Sequence, residues 1–238
     1  MRPEPPNGII VVDKPSGWTS HDVVNKVRTM LGGVKVGHTG TLDPMATGVL
    51  VLLIGKATKA ATLFAHDTKR YLAEITFGTS TDTYDATGIL MATGDPARVD
   101  RSRFRVSIES LIGESEQFPP MYSAVKVRGK KLYQYARAGR AVDRKPRTIH
   151  IMKIDALLEA FPIVSLDIEC SAGTYVRELA NRLGEMNACP AHLSSLRRTA
   201  AGKLGIEMAI TIDELAQAIA RDELDTLILP VPPHNEIL

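Results

Sequence analysis

Residues 32–48 read GGVKVGHTGTLDPMATG and run directly into the wholly apolar segment 49–54, VLVLLI. The first segment holds five Gly, three Thr and one Pro in seventeen residues, with neither helical nor strand periodicity. A stretch this long without period, inside a compact domain, is either functional or disordered. Its direct attachment to a buried strand predicts an anchored loop. Any fold for this chain must carry that irregular loop on a strand with no polar face.

The surroundings predict a mixture of strands and helices. Residues 9–12 form a short buried strand, followed by the loop Asp13-Lys14-Pro15-Ser16-Gly17. Ser20 reads as the N-cap of a helix with Val23, Val24, Val27 and Leu31 on one face, stopped by Gly32-Gly33. Residues 70–78 alternate, with Tyr71, Ala73, Ile75 and Phe77 on one side. Residues 164–170 alternate again. Thr174 reads as the cap of a helix with face Val176, Leu179, Ala180 and Leu183, ended by Gly184. Thr211 caps a last helix over 211–220. Alternating strands mixed irregularly with helices predict an α+β fold rather than a doubly wound parallel sheet.

The 238 residues include 44% hydrophobic and 24% charged side chains, which excludes a disordered chain, a collagen and a disulfide scaffold. The longest apolar run is six residues, where a membrane-spanning helix needs about 20. The N-terminus MRPEPPNG lacks an apolar signal core, and Cys170 and Cys189 form no CxxC pair. Both features predict a cytoplasmic protein with reduced thiols. The net charge of +2 conceals an uneven distribution. Residues 126–147 carry nine Lys or Arg against Asp143, net +8, interleaved with Tyr133 and Tyr135, while residues 206–238 are net −6. The basic stretch reads either as a solvated surface or as a polyanion-binding strip. Cations displace counterions from phosphates, and tyrosines stack on unpaired bases.

Two residues stand out as candidate chemistry. Asp43 precedes Pro44 and is held extended by it, in a loop whose glycines permit close approach of a ligand. It reads as a turn cap or as a carboxylate presented to a substrate, with His38 nearby in the same loop. Arg177, at a helix start, is either exposed or buried. If buried it needs an anion, which a carboxylate such as Asp43 would supply. Other chemistries fail on spacing. Gly55-Lys56 lacks the preceding glycine and following hydroxyl of a phosphate loop, and there is no GxGxxG or GxSxG. The six histidines show no metal-ligand spacing, so neither metal nor cofactor is expected. A carboxylate-dependent glycosidase would need a second acid beside Asp43.

Six segments, in order, resemble the TruB family of tRNA pseudouridine synthases: GIIVVDKPSGWTSHDVV (8–24), GHTGTLDPMATGVL (37–50), KRYLAEITFGTSTDTYDATG (69–88), PPMYSAVKVRGKKLYQYARAG (119–139), SAGTYVREL (171–179) and HLSSLRRTAAG (192–202). The resemblance implies a pseudouridine synthase fold, with a curved, mixed, largely antiparallel sheet flanked by helices and a central RNA-binding cleft. It implies one catalytic domain over 1–238, with 126–147 as its RNA-binding segment. The PUA-type domain common in bacterial members is not expected before the end of this sequence. Uridine at position 55 of the tRNA T-loop would be flipped out and isomerised without a cofactor. Asp43, Tyr71 and Arg177 would be catalytic, with Arg177 paired to Asp43. His38, Tyr175, Leu196, Lys14, Lys126, Lys130, Lys131, Arg197 and Arg198 would contact substrate. The partner would be the tRNA T stem-loop, bound by a monomer. Two other readings stay open: a guide-RNA-dependent relative, and a non-catalytic RNA-binding or tRNA-folding protein.

Overall fold

The computed structural model describes residues 4–232. The chain begins with β1 (Gly8–Lys14), α1 (Ser20–Met30), β2 (Val36–His38), β3 (Thr47–Ile54) and β4 (Lys69–Phe77). There follow the hairpin β5 (Thr79–Thr81) and β6 (Leu90–Thr93), then α2 (Arg101–Leu111) and β7 (Gly113–Gln117). A second small hairpin, β8 (Lys126–Val127) and β9 (Lys130–Lys131), leads into α3 (Leu132–Arg137). The remainder is β10 (Arg147–Ala160), β11 (Ile163–Cys170), α4 (Val176–Met186), β12 (Ala191–Ala201), β13 (Leu204–Gly205) and α5 (Ile212–Ala220). This is the mixed strand-and-helix architecture expected of the sequence. The strands pair mostly antiparallel, with a parallel pairing of β12 to β3. Contacts divide the chain into two compact units. One comprises residues up to Tyr71 and from Arg197 onward, the other Leu72–Leu196.

In the first unit β3 pairs antiparallel with β1 along its length, and β2 pairs with its far end, His38 opposite Leu52. Part of the aperiodic segment is therefore strand, because β3 offers an unpaired edge that Val36–His38 fills. Ile10, Val12, Leu50, Leu52 and Ile54 face Val23, Val24 and Val27 of α1 and Leu215 of α5. The alternate residues Ile9, Val11, Val49, Val51 and Leu53 pack on Ala57, Phe64 and Ala201. With both faces covered, the strand needs no polar alternation, which explains the unbroken apolar run. α5 is capped by Thr211 as expected, and Leu215 is fully buried. The C-terminal segment up to 232 thus packs on this unit through its apolar residues, while its acidic side chains stay exposed. Residues 233–238 lie outside the described residues.

The helix starts differ from expectation at two places. Thr19, not Ser20, caps α1, because Asp22 closes a reciprocal capping box with it. Ser20 is freed for a long-range role described below. α4 begins after Tyr175, and Thr174 turns its hydroxyl back to the Ser171 carbonyl. Gly184 does not end α4. It lies inside the helix where a Cβ would press on Ala191, so the glycine allows β12 to begin there.

In the second unit the strand order is β4, β11, β10, β7. Val164, Leu166, Ile168 and Cys170 of β11 are buried and the residues between them half-buried, as their alternation predicts. Phe77, Phe104 and Phe161 form an edge-to-face trio with centroid separations of 5.2–5.7 Å.

Gly48 shows how tightly the first unit is fitted. It opposes Arg198 in the parallel pairing, with φ +95°. A Cβ there would run into the Arg198 main chain. Gly48→Ala is expected to lower stability by roughly 2–4 kcal/mol, through strain and displacement of β12. Urea denaturation monitored by circular dichroism reads this directly.

Candidate active site

Asp43 sits half-buried in residues 39–46, a segment without regular secondary structure. Such a segment must find partners elsewhere for its backbone polar groups, and the first unit supplies them almost residue by residue. The Ser20 hydroxyl accepts from the Leu42 amide at 2.8 Å and donates to the Leu42 carbonyl at 3.1 Å. Pro44 O accepts from the Gly17 amide at 2.8 Å and from Lys14 Nζ at 3.1 Å. The Ser16 hydroxyl donates to Met45 O, and Gly40 O accepts from Arg198 Nη2 at 3.1 Å. A local turn, Ala46 N to Asp43 O, closes the set. The DKPSGWTS segment and the Asp43 loop are therefore one interlocked piece, tied across more than twenty residues of sequence.

Two cations lie beneath this loop, and their placement corrects the sequence expectation. Lys14 and Arg198 were expected to contact substrate. Lys14 is 0% and Arg198 2% exposed. Lys14 Nζ donates to the carbonyls of Pro15, Trp18 and Pro44 at 2.6–3.1 Å. Arg198 Nε donates to Val49 O at 2.7 Å. Charges taken out of water must be met by protein acceptors, and these two are met by main-chain carbonyls of Pro15 and Trp18, of the loop and of β3. Neither is available to an RNA phosphate. Burial draws the Lys14 ammonium down to about 8, partly opposed by the Asp43 carboxylate beside it.

The other expected residues of this unit are distributed as follows. His38, on β2, is half-buried, and its Nδ1 is buried without a hydrogen-bond partner. Burial first, then the Arg198 and His21 charges, lowers its pKa, so the ring is neutral at pH 7. Tyr71 is buried on β4. Arg197 stays partly at the surface, where its guanidinium grips Asp13 through bonds of 3.1 and 2.6 Å. It lines a cavity of about 600 Å³ together with Trp18 and Lys26.

In the second unit Arg177 is buried, and Asp85 is an anion that meets it there. Nη1 lies 3.2 Å from Asp85 Oδ2, and Nη2 donates to Tyr122 O at 2.7 Å. Asp85 is itself fixed by the hydroxyls of Thr83 and Thr87 and the Thr87 amide. Sequence reasoning missed this carboxylate, although it stands in the quoted segment TDTYDATG. The flanking Thr83 and Thr87, whose hydroxyls can donate to a carboxylate, were the available signal. The Tyr175 ring lies 5.8 Å from the Arg177 guanidinium. The Tyr175 main chain is held by Gln117, which accepts from its amide at 2.8 Å and donates to its carbonyl at 3.1 Å. Gln117 supplies the start of α4 with the partner that Thr174 does not. Leu196 is buried.

The basic stretch forms a defined hairpin. Arg128 and Gly129 turn it with φ of 49° and 82°, and the Tyr135 hydroxyl pins Val127 O at 3.2 Å. Leu132 is its buried anchor. Lys126, Lys130 and Lys131 remain exposed. Lys131 and Arg137 both lie over the Tyr133 ring, at 5.7 and 5.5 Å. Among the described residues there is no cluster of metal-ligating side chains, and no helix is long and apolar enough to cross a membrane.

The Lys14 environment makes a pH-dependent prediction. Between the folded value near 8 and the ordinary value of 10.5, the unfolded chain binds a proton that the folded chain has released. Wild-type stability relative to Lys14→Met should therefore rise by roughly 1 kcal/mol between about pH 7 and 9. Chemical denaturation of both proteins across that range checks the sign.

The family model described as "TruB family pseudouridylate synthase (N terminal domain)" matches residues 28–176. That for the "tRNA pseudouridylate synthase B C-terminal domain" matches residues 177–232. The chain is 46% identical over 235 residues to tRNA pseudouridine synthase B of Geobacillus thermodenitrificans, covering 94% of this chain and 77% of the relative. It is 45% identical over 227 residues to the protein of the same name from Listeria innocua, covering 93% and 75%. Among solved structures it resembles a chain from the crystal structure of a Cbf5-Nop10-Gar1 complex, with a TM-score of 0.74 and 29% identity. That match covers 94% of this chain and 60% of the other, so the chain spans about three fifths of that structure's length. On the matched segments and on identity along nearly its whole length, the chain belongs to the TruB family of pseudouridylate synthases.

Proposed function

We propose that this protein isomerises uridine to pseudouridine at position 55 in the T-loop of tRNA, with Asp43 as the catalytic carboxylate. The observation that carries the reading is the Asp43 loop. An acid with no regular structure around it is fixed by hydrogen bonds on both flanks and lies beside a buried cation. Proteins named tRNA pseudouridine synthase B that share 41–47% identity support tRNA as the substrate. The Cbf5 structures, at 25–29% identity, support a guide-dependent relative less well.

In this reaction the bond between ribose C1′ and base N1 breaks, the base rotates, and C1′ joins C5. The C5 proton is lost and N1 gains one, so no redox cofactor is required. The carboxylate acts at the ribose, by attack at C1′ or by removal of the C2′ proton, and both routes need it ionised and close. A rigid loop lowers the cost of reaching that geometry. Tyr71 would lie against the base and assist loss of the C5 proton. The neutral His38 ring suits insertion into the space the flipped uridine leaves, where a charged ring would resist burial. Arg177 is assigned a catalytic role from the family resemblance, with Tyr175 and Leu196 beside the base. Lys126, Lys130 and Lys131, on the exposed hairpin, and Arg197 would contact the RNA. Phosphate contacts there offset an unstacking cost of a few kcal/mol. The same reading has the enzyme acting as a monomer in the cytoplasm.

Asp43→Asn should reduce tritium release from C5-labelled uridine in unmodified tRNA transcript by at least about a thousandfold, with tRNA affinity kept. Wild-type release by this variant would defeat the assignment. Neutralising Lys130, Lys131 and Arg137 together should weaken tRNA binding and flatten its dependence on log salt concentration by about two units of slope. Filter binding across a salt series measures both effects.

A further inference from the structure

We infer that Arg198 is a positioning residue for the Asp43 carboxylate, acting through the loop and not through RNA. The inference rests on the reading of Asp43 as catalytic. Arg198 lies at the two ends of the segment that matters. Its Nη2 holds Gly40 O, three residues before Asp43, and its Nε holds Val49 O, six residues after. Its own backbone opposes Gly48 in the parallel pairing, at a separation only glycine tolerates. Side chain and main chain therefore fix one span, residues 40–49, from below. The side chain is 2% exposed, so its charge is committed to these carbonyls.

The charge of the same guanidinium also lowers the pKa of His38 and of Lys14. A Cβ built on Gly40 would stand 3.6 Å from Arg198 Nη1 and 3.9 Å from the side chain of the buried Lys69. Replacing the guanidinium removes a fixed fork that reaches two carbonyls at once, which a lysine ammonium reproduces only in charge. A shift of the loop by about 1 Å is enough to cost on the order of a hundredfold in rate.

The test uses the full chain, unmodified tRNA transcript, and the variants Arg198→Met and Arg198→Lys. Arg198→Met should slow single-turnover tritium release on the order of a hundredfold, with the tRNA dissociation constant within about twofold of wild type. Arg198→Lys should recover part of the rate. In NMR titrations the His38 midpoint should rise in Arg198→Met and stay near wild type in Arg198→Lys. A wild-type rate in Arg198→Met, or a loss carried by weaker tRNA binding, would overturn the inference. So would unfolding of both variants, seen by circular dichroism, which would make Arg198 a stability residue only. Asp43→Asn serves as the separate control. If it keeps full activity, the catalytic reading fails, whereas a wild-type single-turnover rate in Arg198→Met, with Asp43→Asn inactive, removes the positioning role alone.

Discussion

A cation removed from water has to be surrounded by acceptors, and in this protein that requirement shapes the loop that carries Asp43. Lys14 and Arg198 are buried, and Lys14 Nζ, Arg198 Nε and Arg198 Nη2 donate to carbonyl oxygens. Regular strands and helices spend most of their carbonyls internally, and apart from Val49 O in β3 the acceptors here, of Pro15, Trp18, Gly40 and Pro44, lie in irregular backbone. The loop and the buried cations therefore need each other. The cations are tolerable because the loop is irregular, and the irregular loop has one conformation because the cations are there. An apolar replacement would leave Pro44 O, Gly40 O and Val49 O without those donors, at a cost of about 1–3 kcal/mol for each one left unmade.

The same logic, with the charges reversed, governs the second unit. The Asp85 carboxylate is saturated by two threonine hydroxyls, one amide and the Arg177 guanidinium. A carboxylate so fixed keeps its partner fixed. The Arg177 guanidinium is further restrained by the Tyr122 carbonyl, while the Tyr122 hydroxyl donates to Asp82 at 2.9 Å. Tyr122 stands just before the basic hairpin, so the segment bearing Lys126, Lys130 and Lys131 starts from an anchored residue.

How much of this could be read from sequence follows from the range of the interactions. Strand β11 was visible because alternation is a local pattern set by one covered face. Strand β3 was visible as an unbroken apolar run, and the structure adds that both its faces are covered. The Asp43 loop was recognisable as anchored, but its anchors were not, since Ser20 and Leu42 lie 22 residues apart. Ser20 was misread as a cap because a serine before a helical run has two competing uses, and Asp22 decides between them by favouring Thr19. Arg197 and Arg198 are adjacent and identical, yet strand geometry turns one toward Asp13 and the surface and the other into the core. No composition argument separates them. The pairing of Arg177 with Asp85 spans 92 residues and is equally invisible to local rules.

The division of the chain has a bearing on how the protein comes to exist. The first unit is made of two stretches separated by the whole of the second, which is continuous from Leu72 to Leu196. Arg198 must return to acceptors 149 and 158 positions earlier. During synthesis, the second unit can fold as it emerges, whereas β3 waits for its parallel neighbour. Until then the Asp43 loop has no floor. A ribosome-bound chain that has made every residue of the loop still lacks the guanidinium that fixes residues 40 and 49, until Arg198 itself has been added.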